Sequence, residues 1–330
     1  MRSIVTGGAG FIGSHLVDAL LQQGHEVTVL DNFSTGRREN LFHVSQDINL
    51  IECDLGVEGK WSSEFQGVDW VFHLAALADI VPSIQQPQAY FSANVDATFN
   101  VVQAARIGGA TRFVYVASSS SYGLPDIFPT PESADIDPQY PYALTKYLGE
   151  TLIMHWGKVY EMPVLSLRFF NVYGPRSRTS GTYGAVFGVF LAQKLANVPY
   201  TVVGDGSQTR DFTYVTDVVQ ALIAAAQSSR SGAVYNVGSG ATISVNRLVE
   251  LLGGEKVFIP KRPGEPDCTF ADISKIQTEL GWHPEVTIER GVSRLLEHIE
   301  YWRDAPVWTP DSIATATQDW FRYLGSSDSG

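Results

Sequence analysis

A doubly wound parallel sheet joined to a smaller α/β lobe is the fold class that the sequence predicts. Three observations predict it. Short apolar segments alternate with helical patterns through the first half of the chain. A glycine-rich turn, Gly7-Gly8-Ala9-Gly10-Phe11-Ile12-Gly13, separates the first apolar segment from the first helical pattern. From Ser177 onward the rhythm changes to shorter, mixed elements. The 330 residues are 44 % hydrophobic, enough for two closely packed lobes around a large core. We place the sheet domain at 1–170, with about 210–240 returning to it. The smaller lobe and C-terminal helices occupy 171–330.

The elements follow in order. Arg2 to Thr6 is a short strand, Ser14 to Gln23 a helix, and Val27 to Leu30 a second strand ending at Asp31-Asn32. That order, with Gly7, Gly10 and Gly13 in the turn, is a Rossmann-type βαβ unit. Gly7 permits the tight turn, Gly10 lets backbone approach a pyrophosphate, and Gly13 lets the helix pack on the sheet. The helix start, with Phe11 and Ile12, offers amide donors to phosphates. Asp31 is placed to accept from a ribose diol and would repel a phosphate there, so NAD is favoured over NADP. Asn32 and Gly36 join it as cofactor contacts. Asn49 to Cys53 is a strand that delivers Asp54-Leu55 as an adenine contact. Trp70 to Leu74 is another, and the small Ala75 and Ala76 after it let backbone lie close to the cofactor. Asn94 to Gly108 reads as one long helix. Asn94 and Asn100 on it are either helix–helix contacts or cofactor contributors. Arg112 to Val116 is a strand that leads into Ser118-Ser119-Ser120-Ser121 and Tyr122-Gly123.

Composition excludes several classes. The net charge of -12 argues against nucleic acid as a partner, and no basic block reverses that. Cys53 and Cys268, the two cysteines, are too few for a disulfide framework or a metal cluster, so no metal is expected. No apolar run approaches the length of a membrane span. A reducing, cytoplasmic location is expected.

Twenty residues after the serine run comes Tyr142-Ala143-Leu144-Thr145-Lys146, the opening of a helix. Lys146 lies four residues after Tyr142 and shares its helix face. Hydroxyl, phenol and ammonium together suit proton removal from a sugar alcohol while hydride leaves its carbon.

These residues resemble the extended short-chain dehydrogenase/reductases. The likeness runs through GGAGFIG at 7–13, HLAA at 73–76, YALTK at 142–146, LRFFNVYGPR at 167–176, RDFTYVTD at 210–217, YNVGSG at 235–240 and KRPGE at 261–265. Within the family the chain is most similar to nucleotide-sugar 4-epimerases. The resemblance implies NAD as cofactor, Tyr142 as acid–base, and Lys146 favouring its phenolate. It implies that Ser118, with Ser120 as a second candidate, holds the sugar 4-oxygen. Related 4,6-dehydratases carry Thr-Asp-Glu where Ser118-Ser119-Ser120 stand here, and uronate decarboxylases also carry a Glu. Hydroxyls cannot replace those carboxyl groups in an elimination. Oxidation at C4, rotation of the ketone and return of hydride remain.

For the substrate, the resemblance implies Asn171 and Tyr200 in the pocket, Arg210 and Arg262 on the pyrophosphate, and Glu265 on the uridine ribose. Thr269 stands at a wall position where a small residue leaves room for an N-acetyl group. UDP-GlcNAc/UDP-GalNAc and UDP-Glc/UDP-Gal are the expected substrates, with UDP-glucuronate as the alternative. Ser83 or Thr179 would serve the uronate, and the polar loop Ser177 to Tyr183 would sit over the sugar. An NADH-releasing dehydrogenase and a non-catalytic nucleotide-binding protein are the remaining readings. The helices beginning near Asn94 and Tyr142 resemble those of a homodimer interface in the family, and the resemblance implies a part in cell-surface polysaccharide biosynthesis. Glu285 to Arg303 and Ser312 to Leu324 read as amphipathic helices that pack on the body or extend a subunit contact. Ser326 to Gly330 reads as a frayed end.

Overall fold

The computed structural model describes residues 1–177 and 185–325. Its first half builds β1 (Arg2–Thr6), α1 (Phe11–Gln22), β2 (Glu26–Asp31), β3 (Ile48–Glu52) and β4 (Trp70–His73). The helices α2 (Ile80–Gln85), α3 (Pro87–Phe91) and α4 (Ala97–Gly108) follow, then β5 (Arg112–Ser118), α5 (Pro141–Tyr160) and β6 (Val164–Phe169). Next come β7 (Asn171–Tyr173), α6 (Val186–Leu195), β8 (Tyr200–Val203), β9 (Thr209–Arg210), β10 (Phe212–Tyr214), α7 (Val215–Gln227) and β11 (Ala233–Val237). The remainder is β12 (Ile243–Ser244), α8 (Val245–Leu252), β13 (Lys256–Ile259), α9 (Ser274–Leu280), α10 (Ile288–Glu297), α11 (Pro310–Ala316) and α12 (Gln318–Leu324).

Seven parallel strands pair in the order β11-β6-β5-β4-β1-β2-β3. This is the doubly wound Rossmann-like sheet, with its order reversing between β1 and β4. Alternation along the strands sorts the core into two layers. Val5, Val29, Phe72 and Val114 pack with Leu16 and Leu20 of α1 and Val218 and Leu222 of α7. Ile4, Leu30, Val71 and Phe113 face the other way, onto Val101 and Val102 of α4 and Ile153 of α5. A third cluster joins Phe187 and Phe190, Val202, Leu248, Leu295 and Trp302 in the smaller lobe. No helix among the described residues is long and apolar enough to cross a membrane.

Several boundaries differ from the sequence expectation. α1 starts at Phe11 because Gly10 is its N-cap, so Phe11 and Ile12 lie inside its first turn. The helix expected over 94–108 is interrupted at its start by a π-turn, Ser92–Asp96. The wider turn directs Asn94 inward, toward α5. The helix expected over 285–303 is α10, capped by Thr287, followed by a 3₁₀ turn at Ile299–Trp302. The one expected over 312–324 is two short helices broken at Thr317, whose hydroxyl donates to the Ile313 carbonyl at 2.8 Å. Most of the loop expected over the sugar, with Thr179, lies outside the described residues, as does Ser326 to Gly330.

His73 predicts how stability responds to acid. It is fully buried, and its ring nitrogens bond Thr6 at 2.7 Å and Thr98 at 2.9 Å. Burial, reinforced by the Lys146 charge, lowers its pKa from 6.5 to about 3. Between those values the unfolded chain binds a proton that the folded chain refuses. Stability is therefore lost as pH falls through that window. Melting temperatures measured from neutral pH down to about pH 4 should fall for the wild type and fall less steeply for His73→Gln. Parallel slopes would assign the acid sensitivity to other groups.

Candidate active site

The C-terminal ends of the sheet strands and the smaller lobe enclose a cavity of about 730 Å³. Its floor is the glycine turn. Gly7 has φ +69, and a Cβ there would stand 2.8 Å from the Ala75 nitrogen. A Cβ on Gly13 would stand 2.2 Å from the Gly7 carbonyl oxygen. Side chains are therefore excluded, and α1 presents its first N–H groups with no acidic residue in its first turn. That is a site for an anion at a helix N-terminus.

Asp31 stands beside the turn. One carboxylate oxygen accepts the Ala9 N–H at 2.9 Å and the other the Phe33 N–H at 2.8 Å. Burial raises its pKa, opposed by those two bonds. An ionised carboxylate has about four acceptor positions, so capacity remains for a ribose diol. Asn32, Gly36, Asp54 and Leu55 line the same end of the cavity, and Leu74, Ala75 and Ala76 continue it toward α5. The donor set and the glycine cradle fit a dinucleotide with an unphosphorylated ribose.

α5 supplies the centre. Pro141 occupies its first turn, where its missing N–H costs nothing. The helix seats closely on β5, because the Tyr115 hydroxyl lies where a Cβ on Gly149 would be, 2.2 Å away. The same hydroxyl donates to the Lys146 carbonyl at 3.2 Å. Tyr142 and Lys146 consequently face the cavity together. Burial pushes the Tyr142 pKa up, a hydrogen bond from Ser118 opposes that, and Asp79 adds to the rise. A phenol held this way is an acid, and becomes a base only when positive charge is brought beside it. Burial lowers Lys146 to about 7, with Glu150 opposing. Its ammonium lies 4.5 Å from the centroid of the Tyr115 ring. Ser118 and Ser120 are linked through their hydroxyls at 2.8 Å, and Ser119 joins them on the cavity wall.

At the far end, Arg210 donates to Glu265 at 2.9 Å, and Arg262 stands 3.7 Å from the same carboxylate. The Thr269 hydroxyl donates to Asn171 Oδ1 at 2.7 Å and accepts the Asp211 N–H at 3.2 Å. Arg210, Arg262, Glu265, Asn171 and Thr269 line the cavity with Tyr142, and Asp211 does not.

Two expected site residues are elsewhere. Tyr200 is in the smaller lobe's core, with its hydroxyl donated to the Gly253 carbonyl at 3.0 Å. Its strand neighbours Thr201 and Val203 line the cavity instead. Asn94 is fully buried and spends its amide on protein: it bonds both backbone groups of Leu77, at 2.8 and 3.0 Å, and donates to Thr145 at 2.9 Å. It braces α5 against the loop after β4 and does not line the cavity. Asn100 likewise donates to the Leu55 carbonyl at 2.8 Å. The Ser83 hydroxyl donates to the Ile80 carbonyl at 2.6 Å, and the residue does not line the cavity.

Tyr140 and Trp320 are among the cavity residues that the sequence does not mark as such. Tyr140, the N-cap of α5, stacks on Tyr142 with centroids 6.4 Å apart and planes at 10°. Burial raises its pKa far above the usual value, and its hydroxyl bonds Ser120. It stays neutral, with Ser120 and Arg210 both opposing the rise. An aromatic directly before Pro141-Tyr142 was the available signal. Trp320 of α12 also lines the cavity, and nothing local in the sequence marks it.

Known proteins match the chain along most of its length. A family model described as the NAD dependent epimerase/dehydratase family matches residues 3–238. UDP-glucose 4-epimerase of Mycolicibacterium smegmatis is 35 % identical over 312 residues, 90 % of this chain and 98 % of that protein. UDP-glucuronic acid decarboxylase 1 of Arabidopsis thaliana is 36 % identical over 309 residues, 90 % of this chain and 69 % of that protein. Among solved structures, UDP-N-acetylglucosamine 4-epimerase from Methanobrevibacter ruminantium M1, in complex with UDP-N-acetylmuramic acid, superposes with a TM-score of 0.84. It is 32 % identical and covers 90 % of this chain and 98 % of its own. The family match runs unbroken from the glycine turn through the Tyr142 helix to the last sheet strand, and this chain therefore belongs to the NAD dependent epimerase/dehydratase family.

Proposed function

We propose that the protein interconverts the C4 epimers of a UDP-linked sugar, with UDP-GlcNAc and UDP-GalNAc as its main pair and UDP-Glc and UDP-Gal as smaller substrates. The observation that carries this is the run Ser118-Ser119-Ser120 on the wall beside Tyr142. Hydroxyls there can hold a sugar oxygen and cannot act as the acid and base of an elimination. NAD, when bound in the glycine cradle, supplies the hydride acceptor and donor for C4.

The chain's own residues do the rest. Tyr142 as the phenolate takes the proton from the 4-hydroxyl, becoming the phenol, and later returns that proton to the 4-oxygen. The hydroxyls of Ser118 and Ser120 hold the 4-oxygen in reach. Lys146, on the same helix face, makes the phenolate accessible by adding positive charge. Arg210 and Arg262 hold the diphosphate by guanidinium forks, and Glu265 is shared between them and the ribose. With the diphosphate anchored at one end, the sugar ring can turn and present either face to the same hydride position. Thr269, pinned to Asn171, keeps the C2 side of the pocket open. Ser83, turned away to Ile80, gives a uronate carboxylate no partner. The names of the relatives support the UDP-linked class.

A panel of UDP-Glc, UDP-GlcNAc, UDP-GlcA and their 4-epimers, read by product separation, tests this reading. Purified protein should convert UDP-GlcNAc without added NAD and without net NADH. Accumulating NADH, or carbon dioxide from UDP-GlcA, would sink it. For assembly, we propose a homodimer through α4 and α5, whose outer faces expose Phe99 at 40 % and Leu144 at 46 %.

A further inference from the structure

The C-terminal helices reach the substrate end of the cavity. Trp320 on α12 is 4 % exposed. Its indole N–H donates to the Pro263 carbonyl at 2.7 Å, and the Arg262 guanidinium carbon lies 5.2 Å from its ring centroid. On its other side α12 is tied to the sheet domain, where Gln85 Nε2 donates to Asp319 at 2.9 Å. The segment carrying Arg262 follows β13 without forming a helix or strand, and Gly264 within it takes φ +67. Neither Arg262 nor Trp320 falls inside the matched family segment, which ends at residue 238.

The geometry points to Trp320 as a positioning residue for the substrate diphosphate, acting through Arg262. An aromatic ring attracts a guanidinium without taking an N–H donor from it, so the contact can orient the fork and leave its donors to oxygen partners. Pairing with Glu265 alone would spend those donors. The bond to Pro263 holds the adjoining backbone, so ring and carbonyl together fix both the height and the tilt of the fork. α12 thus acts as a clasp, anchored on α2 at one side and on the Arg262 segment at the other. The inference rests on reading Arg262 as a diphosphate contact.

Titration calorimetry of UDP with the full chain tests it. Trp320→Ala should weaken UDP roughly tenfold, the scale of a desolvated cation–aromatic contact. It should raise KM for the sugar nucleotide by a similar factor and leave kcat unchanged. Trp320→Phe keeps a ring face and should retain most of the affinity. Trp320→Leu fills much of the volume without a ring and should bind as poorly as the alanine variant, which separates stacking from simple packing if Trp320→Ala fails to fold. In an Arg262→Ala background the tryptophan substitution should cost nothing further. Wild-type affinity in Trp320→Leu, or an undiminished cost in the Arg262→Ala background, would overturn the proposal. Wild-type protein that ignores UDP but binds inorganic pyrophosphate with the same Trp320 dependence would remove the nucleotide reading and keep the positioning role. Binding of neither probe would remove both.

Discussion

Tyr142→Phe should lower kcat by a factor on the order of 100 to 10,000, the range that a positioned proton donor and acceptor contributes. UDP binding should hardly change. The ring is fixed by neighbours that do not need its hydroxyl: Tyr90 at 6.4 Å edge-on and Tyr140 at 6.4 Å in parallel. Burial keeps the isolated phenol protonated, so the loss is of an acid–base group and not of a fixed charge. Single-turnover measurement of C4 oxidation, beside calorimetry with UDP, separates the two. Turnover within about tenfold of wild type would move the proton transfer elsewhere. Tyr140 would then be the first group to examine: burial raises its pKa too, and its hydrogen bond with Ser120 opposes that rise.

Thr269→Tyr should reduce kcat/KM for UDP-GlcNAc about 100-fold relative to UDP-Glc. The position lies beside Asn171 on the cavity wall, and on the proposed reading a phenol there fills the space that an N-acetyl group needs. The substitution also removes the hydroxyl that donates to Asn171 at 2.7 Å and accepts the Asp211 N–H. Thr269→Val isolates that second effect, since valine has a similar shape without the hydroxyl. Valine should slow both substrates together, by loosening Asn171, and leave their ratio near the wild-type value. An unchanged ratio in Thr269→Tyr would show that the C2 substituent points to another wall.

Much of this is legible in the sequence. The βαβ unit follows from three glycines between an apolar strand and a helical pattern, because side chains at Gly7 and Gly13 would collide with backbone. The pairing of Tyr142 with Lys146 follows from helix geometry, which places residues four apart on one face. Asn94 was ambiguous for a physical reason. A buried asparagine in a helix needs partners, and the sequence does not say whether they are protein or ligand. The π-turn decided it by aiming the amide at Leu77 and Thr145.

Tyr200 and Trp320 show the boundary most clearly. Alternation along a strand establishes that Tyr200 and Val202 share one face and that Thr201 and Val203 share the other. It does not say which face meets the core of a lobe assembled from distant segments. The structure turns Tyr200 to Gly253 and leaves Thr201 and Val203 on the cavity. Trp320 reaches Arg262 from far along the chain, by a contact that no local period encodes. By itself, then, the sequence determined the sheet, the cofactor cradle and the helix that carries Tyr142 and Lys146. Their geometry is set by neighbours within a few residues. The tertiary structure alone decided which side chains close the substrate end, because those contacts depend on how separate elements pack.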